Sequence, residues 1–163
     1  VNATEPLSNR HALDTFDCGN EALNRFLKLH ALVNQTAGAT RTYVACRPAA
    51  SVIGYYSLCT GAVEAATAPA RVSKGLARHP IPVLLLARLA VAKDAQGRGI
   101  GKALLKDALL RVAQAADIVG VRALLVHAKD DTAAAWYAKF GFAPSPTDPL
   151  HLYLLIKDLR ASL

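Results

Sequence analysis

The chain contains no methionine and a single tryptophan, and only 6% of its residues are aromatic. Gripping single-stranded nucleic acid by base stacking needs a row of exposed rings, so a broad stacking platform is not expected. Three cysteines (Cys18, Cys46 and Cys59) are an odd number with no Cys-x-x-Cys spacing. They read as buried or free thiols of a reducing, cytoplasmic protein. Five histidines are scattered without paired ligand spacing, so no metal is expected. No apolar run approaches the length of a bilayer span. The opening Val-Asn-Ala-Thr-Glu lacks a charged region followed by an apolar one, so no secretion signal is expected. Acidic residues are also few, 12 against 19 Lys and Arg, which leaves a net charge of +7. That excess reads either as solubility or as an acidic partner, such as a phosphate-bearing cofactor or a folded RNA held by its phosphates.

A hydrophobic content of 53% excludes disorder, and 163 residues suffice for a good core. One domain spanning 1–163 is predicted, with no internal repeat or low-complexity tract. The chain is organised around residues 83–119. An apolar run, Val83 to Val91, leads into Gly97, Gly99 and Gly101 at every second position. Leu104, Leu105, Ala108, Leu109, Val112 and Ala116 then recur on one helical face. Strand, glycine-rich turn and helix follow in succession. Glycines let backbone approach a ligand closely, and the free N–H groups at a helix start attract anions. The turn is not a P-loop: Gln96 replaces the first glycine and Ala103 the magnesium-holding hydroxyl. Nor is it a dinucleotide fingerprint, because Lys102 stands where the third glycine belongs.

The remaining elements follow in order. Residues 3–7 suggest a short strand. Asp17 or Gly19 is expected to open a helix from about Asn20 to Val33, with Leu23, Phe26, Leu27 and His30 inward. Arg41–Cys46 and Val52–Val63 read as a hairpin, with Tyr55 and Tyr56 pointing to opposite faces, one in and one out. Gly54 and Gly61 suggest bulges or close approaches. Residues 64–82 read as a loop with one short helix, carrying Arg71, Lys74, Arg78 and His79. The strand Val83–Val91 and the helix Arg98–Val119, closed by Gly120, come next. Val121–His127 is a buried strand, Ala133–Phe140 a short helix capped near Asp130, Leu150–Ile156 a last strand, and Lys157–Leu163 a terminal helix. The order implies a mixed α/β sheet with helices on both faces.

Two motifs carry a resemblance. Gln96-Gly97-Arg98-Gly99-Ile100-Gly101 matches the Arg/Gln-x-x-Gly-x-Gly/Ala signature of the GNAT N-acetyltransferases. Ala133 to Phe142, Ala-Ala-Ala-Trp-Tyr-Ala-Lys-Phe-Gly-Phe, resembles the family's second signature, in the expected order. The stretches His11 to Asn20, Gly54-Tyr55-Tyr56, Arg88 to Val91, Leu125 to Ala128 and Pro144-Ser145-Pro146 are similar to one subgroup, the GNAT toxins of type II toxin–antitoxin systems.

The resemblance implies a GNAT fold, a central and mostly antiparallel sheet with strands four and five splayed. It implies acetyl-CoA as donor and aminoacyl-tRNA as acceptor, whose acetylated α-amine blocks translation. It also implies a small ribbon–helix–helix antitoxin and a homodimer. The Leu89 N–H would face the thioester carbonyl, Ala90 and Val91 would pair with pantetheine, and the stretch from Gln96 through Ile100 to Lys102 would hold the pyrophosphate. Arg98 and Lys102 would add charge, and Phe140 would line the cofactor site. Tyr137 would be the general acid towards the departing thiolate as the amine attacks directly. A phenol, with a pKa of about 10, is protonated at neutral pH and suits that role.

The run Val83–Val91 holds no Asp, Glu or His. A lysine acceptor, with a pKa of about 10.4, needs help losing its proton, whereas an α-amine at roughly 7.7–8.0 already has a substantial neutral fraction. The sequence therefore favours an acceptor such as an aminoacyl ester. Glu64, His127 and Asp130 remain open as a base. Arg41, Arg71, Lys74, Arg78, Arg88, Lys93 and Lys139 are the candidates for a tRNA surface. Acetylation of another amine (a protein N-terminus, a polyamine or an antibiotic), or acetyl-CoA binding without turnover, are the alternatives.

Overall fold

The computed structural model describes residues 3–77 and 79–163. Its strands are β1 (Glu5–Pro6), β2 (Arg41–Arg47), β3 (Ser51–Val63), β4 (Ile81–Val91), β5 (Ala123–His127), β6 (Ala143–Pro144) and β7 (His151–Leu155). They form one mixed sheet in the order β1-β2-β3-β4-β5-β7-β6. β4 and β5 pair in parallel, while β1–β2, β2–β3, β5–β7 and β6–β7 are antiparallel. The helices are α1 (Glu21–Arg25), α2 (Ala31–Thr36), α3 (Ala70–Ser73), α4 (Ile100–Ala116), α5 (Asp131–Ala138) and α6 (Ile156–Ala161). The chain divides into two compact units. The first runs to Cys59 and adds Ala87–Ala108; the second comprises Thr60–Leu86 and Leu109–Leu163. β4 and α4 each contribute residues to both.

In the first unit the predicted helix is broken by a π-turn, Phe26–His30, where the Ala31 N–H reaches back to the Phe26 carbonyl. The extra residue rotates the helix face. Phe26, Leu27 and Ala31 are buried, but His30 is exposed, contrary to the helical spacing. Neither Asp17 nor Gly19 opens the helix. Asn20 is the cap, accepting from the Leu23 N–H at 3.0 Å. Tyr55 and Tyr56 are both fully buried, so the expectation of one inside and one outside is corrected. Alternation does send them to opposite faces, but this unit covers both faces with helix. The Tyr55 hydroxyl donates to the Leu23 carbonyl of α1 at 2.7 Å, and the Tyr56 hydroxyl donates to Asp107 of α4. Gly54 is a close approach: a Cβ there would lie 2.9 Å from Leu104 Cδ1 and 3.3 Å from the Ala90 carbonyl oxygen.

In the second unit, Val83–Leu86 pair with Ala123–Val126. The core gathers Val72, Ile81, Val83, Leu125, Tyr153 and Leu155. β4 continues beyond Leu86 to Val91, past the last residue paired to β5. α4 ends at Ala116 and unwinds through a turn at Asp117–Val119 rather than capping on Gly120. Among the described residues no helix is long and apolar enough to cross a membrane.

Candidate active site

In the first unit the site is a braced backbone loop. Gly97 and Gly99 sit at φ +78° and +79°, the left-handed region where a side chain is strained. No atom lies within 4 Å of a Cβ built on either, so both face open space. α4 begins immediately, at Ile100. The Ala103 N–H already bonds the Gly99 carbonyl at 3.0 Å, so the N–H groups of Ile100, Gly101 and Lys102 are the unpaired first turn. A 17-residue helix behind them adds the positive end of its dipole. Arg98 and Lys102 are exposed beside this cradle. The arrangement fits a pyrophosphate.

The Gln96 backbone N–H, expected at the pyrophosphate, donates to the Lys93 carbonyl at 3.4 Å. The side-chain amide of Gln96 donates to the Cys18 carbonyl at 3.1 Å and to the Val91 carbonyl at 2.9 Å. It braces the loop and offers no free donor from its side chain. The brace extends into the Asp17-Cys18-Gly19 stretch, where the Lys93 N–H bonds the Asp17 carbonyl at 2.8 Å. The Lys93 ammonium lies 3.5 Å from the Asp17 carboxylate. Hydrogen bonds from the Asn24 side chain and the Gly19 N–H, with Lys93 nearby, hold the Asp17 carboxyl below the usual carboxylate range. The Phe-Asp-Cys-Gly-Asn motif therefore anchors the glycine loop. Arg47, pairing Asp94 at 2.9 Å, is a further strut on the same turn.

Leu89 and Val91 of β4 are half-buried and Ala90 is buried. Arg88 places its guanidinium carbon 3.7 Å over the Phe26 ring. Arg41 lies exposed at the start of β2.

In the second unit the site is made of side chains. Asp130 caps α5, accepting from the Ala133 N–H at 2.8 Å, and Gly141 at φ +93° ends the helical segment. Tyr137 is buried, packed edge-on against Trp136 and Phe142. Trp136 in turn packs on Phe140. Burial pushes the Tyr137 phenol well above its ordinary value, so it holds its proton at any physiological pH. Such a group can donate a proton and cannot serve as a base. His127, at the end of β5, stacks on His151 with ring centroids 4.0 Å apart. Burial, and then the neighbouring imidazole, lower the His127 pKa.

Of the expected basic residues, Arg41, Arg88 and Lys93 belong to the first unit and Arg71, Lys74 and Lys139 to the second. Arg71 and Lys74 line a cleft of about 370 Å³ together with Arg122 and Lys157, which the sequence did not single out. Arg71 is tied to Asp158 at 2.9 Å, and Arg122 is consumed by the carbonyls of Val72, Arg71 and Lys74. Lys139 is exposed on its own turn, and Arg78 lies outside the described residues.

One group of donor atoms, from Glu5, His11 and Cys46, gathers within 4.8 Å. The Ser8 N–H donates to His11 Nδ1 at 2.9 Å, so Nε2 carries the hydrogen and donates to Glu5 at 2.7 Å. That tautomer leaves the imidazole no lone pair for a metal, and Arg10 holds the other Glu5 oxygen.

The comparisons agree with this geometry. The profile of the acetyltransferase (GNAT) domain matches residues 38–144. The chain belongs to the GNAT acetyltransferase family. It is 47% identical to a tRNA-acetylating toxin of Mycobacterium tuberculosis, over 98% of this chain and 95% of that protein. The solved structure of AtaT complexed with acetyl-methionyl-tRNAfMet superimposes with a TM-score of 0.89 at 33% identity, covering 98% of this chain and 97% of that one. A mutant AtaT toxin bound to the C-terminus of the antitoxin AtaR and acetyl-CoA gives a TM-score of 0.82 at 31% identity, covering 98% and 96%.

Proposed function

We propose that this GNAT chain acts as one acetyltransferase domain that acetylates the α-amine of aminoacyl-tRNA and so halts translation. The observation that carries the reading is its nearly full-length likeness to a tRNA-acetylating toxin. The tRNA-bound and antitoxin-bound neighbours support the same acceptor and a cognate antitoxin. A ribbon–helix–helix antitoxin, a homodimeric state and a cytoplasmic setting complete the proposal.

Acetyl-CoA, when bound, supplies an activated acetyl group on a thiolate leaving group. The N–H groups of Ile100, Gly101 and Lys102 hold its pyrophosphate, with Arg98 and Lys102 adding charge. The Leu89 N–H is the fixed donor for the carbonyl oxygen as negative charge develops there. Ala90 and Val91 hold the pantetheine arm and Phe140 lines the site. Tyr137 keeps its proton at Oη for the departing sulfur. A substantial fraction of the acceptor α-amine arrives neutral, so water suffices as proton acceptor. Arg41, Arg71, Lys74, Arg88, Lys93 and Lys139 supply charge for the RNA, with Arg78.

A cell-free translation reaction tests this. Added protein should arrest synthesis only when acetyl-CoA is present, and Tyr137→Phe should not arrest it. Arrest that persists without acetyl-CoA would refute acetylation as the cause.

A further inference from the structure

Arg88 stands apart from the other arginines that reach a partner. Arg47, Arg71, Arg122 and Arg160 all end on oxygen atoms. Arg88 is half-buried, and among the described residues no carboxylate accompanies it and no acceptor takes its N–H groups. What it has is Phe26, 3.7 Å beneath it. That ring is itself fixed, stacked on Tyr55 at 6.4 Å and tilted against His30 at 6.5 Å. Phe26 is also the first residue of the π-turn, and its carbonyl accepts from the Ala31 N–H. A guanidinium withdrawn this far from water, with its donor fork unspent, is a receptor for an oxyanion.

The anion is not the cofactor's. Phe26 and Tyr55 occupy one face of the sheet in this unit, while Tyr56 and Gly54 meet α4 on the other. α4 carries the glycine loop at its start, and Arg88 lies on the opposite face. It directly precedes Leu89, the proposed oxyanion donor. An anion held there belongs to the acceptor, and the anion nearest the reacting amine of an aminoacyl-tRNA is the phosphodiester of its terminal nucleotide. Polyamines and protein N-termini carry no such phosphate, and a free amino acid offers only its carboxylate, beside the amine itself.

We propose that Arg88, held on Phe26, receives the phosphate 5′ to the terminal nucleoside of the acceptor and thereby selects aminoacyl-tRNA over small amines. This rests on the proposed function. The test compares two minimal acceptors: 3′-O-aminoacyl-adenosine and the same molecule bearing a 5′-phosphate. The amino acid is the one found acetylated on intact tRNA. The readout is the ratio of kcat/KM with and without phosphate, measured on the same protein, so any loss of folded fraction cancels.

The wild-type ratio should be about tenfold or more, the range of a charge-assisted hydrogen bond. Arg88→Gln should bring it to about one. Arg88→Lys should recover only part, because an ammonium lacks the fork. Phe26→Leu, which keeps the charge but removes the ring, should lower the ratio through KM. A wild-type ratio near one, or an Arg88→Gln ratio equal to wild type, would overturn the inference while leaving the proposed function intact. A wild-type protein that acetylates no aminoacyl-tRNA would overturn both.

Discussion

The two units carry candidate site residues of different kinds. In the first, the cradle is backbone: left-handed glycines, the open first turn of α4, and a brace of carbonyls from Cys18 and Val91. In the second, the proposed proton donor is a side chain, Tyr137, buried among Trp136 and Phe142. A backbone site tolerates changes in side-chain chemistry but not in local conformation. A side-chain site reverses those sensitivities. The contrast predicts which substitutions reduce turnover and which reduce cofactor binding.

Tyr137→Phe should have the largest effect. It removes a proton donor without disturbing packing, so single-turnover acetyl transfer should fall by about 10²–10⁴. Acetyl-CoA affinity by calorimetry should stay nearly unchanged. Affinity falling in step with rate would place Tyr137 in binding instead.

Gly97→Val should do the opposite. Open space surrounds that position, so nothing clashes, but a side chain at φ +78° costs about 1–2 kcal/mol. Acetyl-CoA should bind about tenfold more weakly, with little change in the single-turnover rate at saturation.

Gly54→Ala probes the support behind the backbone half. Its new Cβ meets Leu104 and the Ala90 carbonyl, and should cost about 1 kcal/mol in urea unfolding.

The smallest effect concerns pH. His127 has its folded pKa lowered by burial and by His151, so its contribution to stability is present above about pH 6.5 and is lost as pH falls below it. His127→Gln should flatten the acid side of a melting-temperature profile. Tyr137, with its folded pKa raised, contributes fully below about pH 10 and loses that contribution as pH rises further. Tyr137→Phe should therefore flatten only the alkaline side.

Features written in local pattern were legible in the sequence. The glycine spacing located the left-handed loop, the apolar period located α4, and the Trp136–Tyr137 stretch lies on the predicted short helix. What depended on distant packing was not legible. Two-residue alternation separates Tyr55 from Tyr56 but cannot say that helices cover both faces. The π-turn at Phe26–His30 leaves no signature in a helical pattern, and neither does the contact of Phe26 with Arg88. Gln96 opens the signature, but nothing in the signature says that its side-chain amide braces the loop on carbonyls supplied by Cys18 and Val91. Arg122 and Lys157 join Arg71 and Lys74 only through folding.

The most direct test of the central claim is to identify the product. Bulk aminoacylated tRNA would be incubated with the protein and acetyl-CoA, digested with nuclease, and examined by mass spectrometry. The account predicts N-acetyl-aminoacyl-adenosine, absent when Tyr137 is replaced by Phe. Acetyl-CoA binding without that product, from any aminoacylated tRNA in the pool, would contradict it.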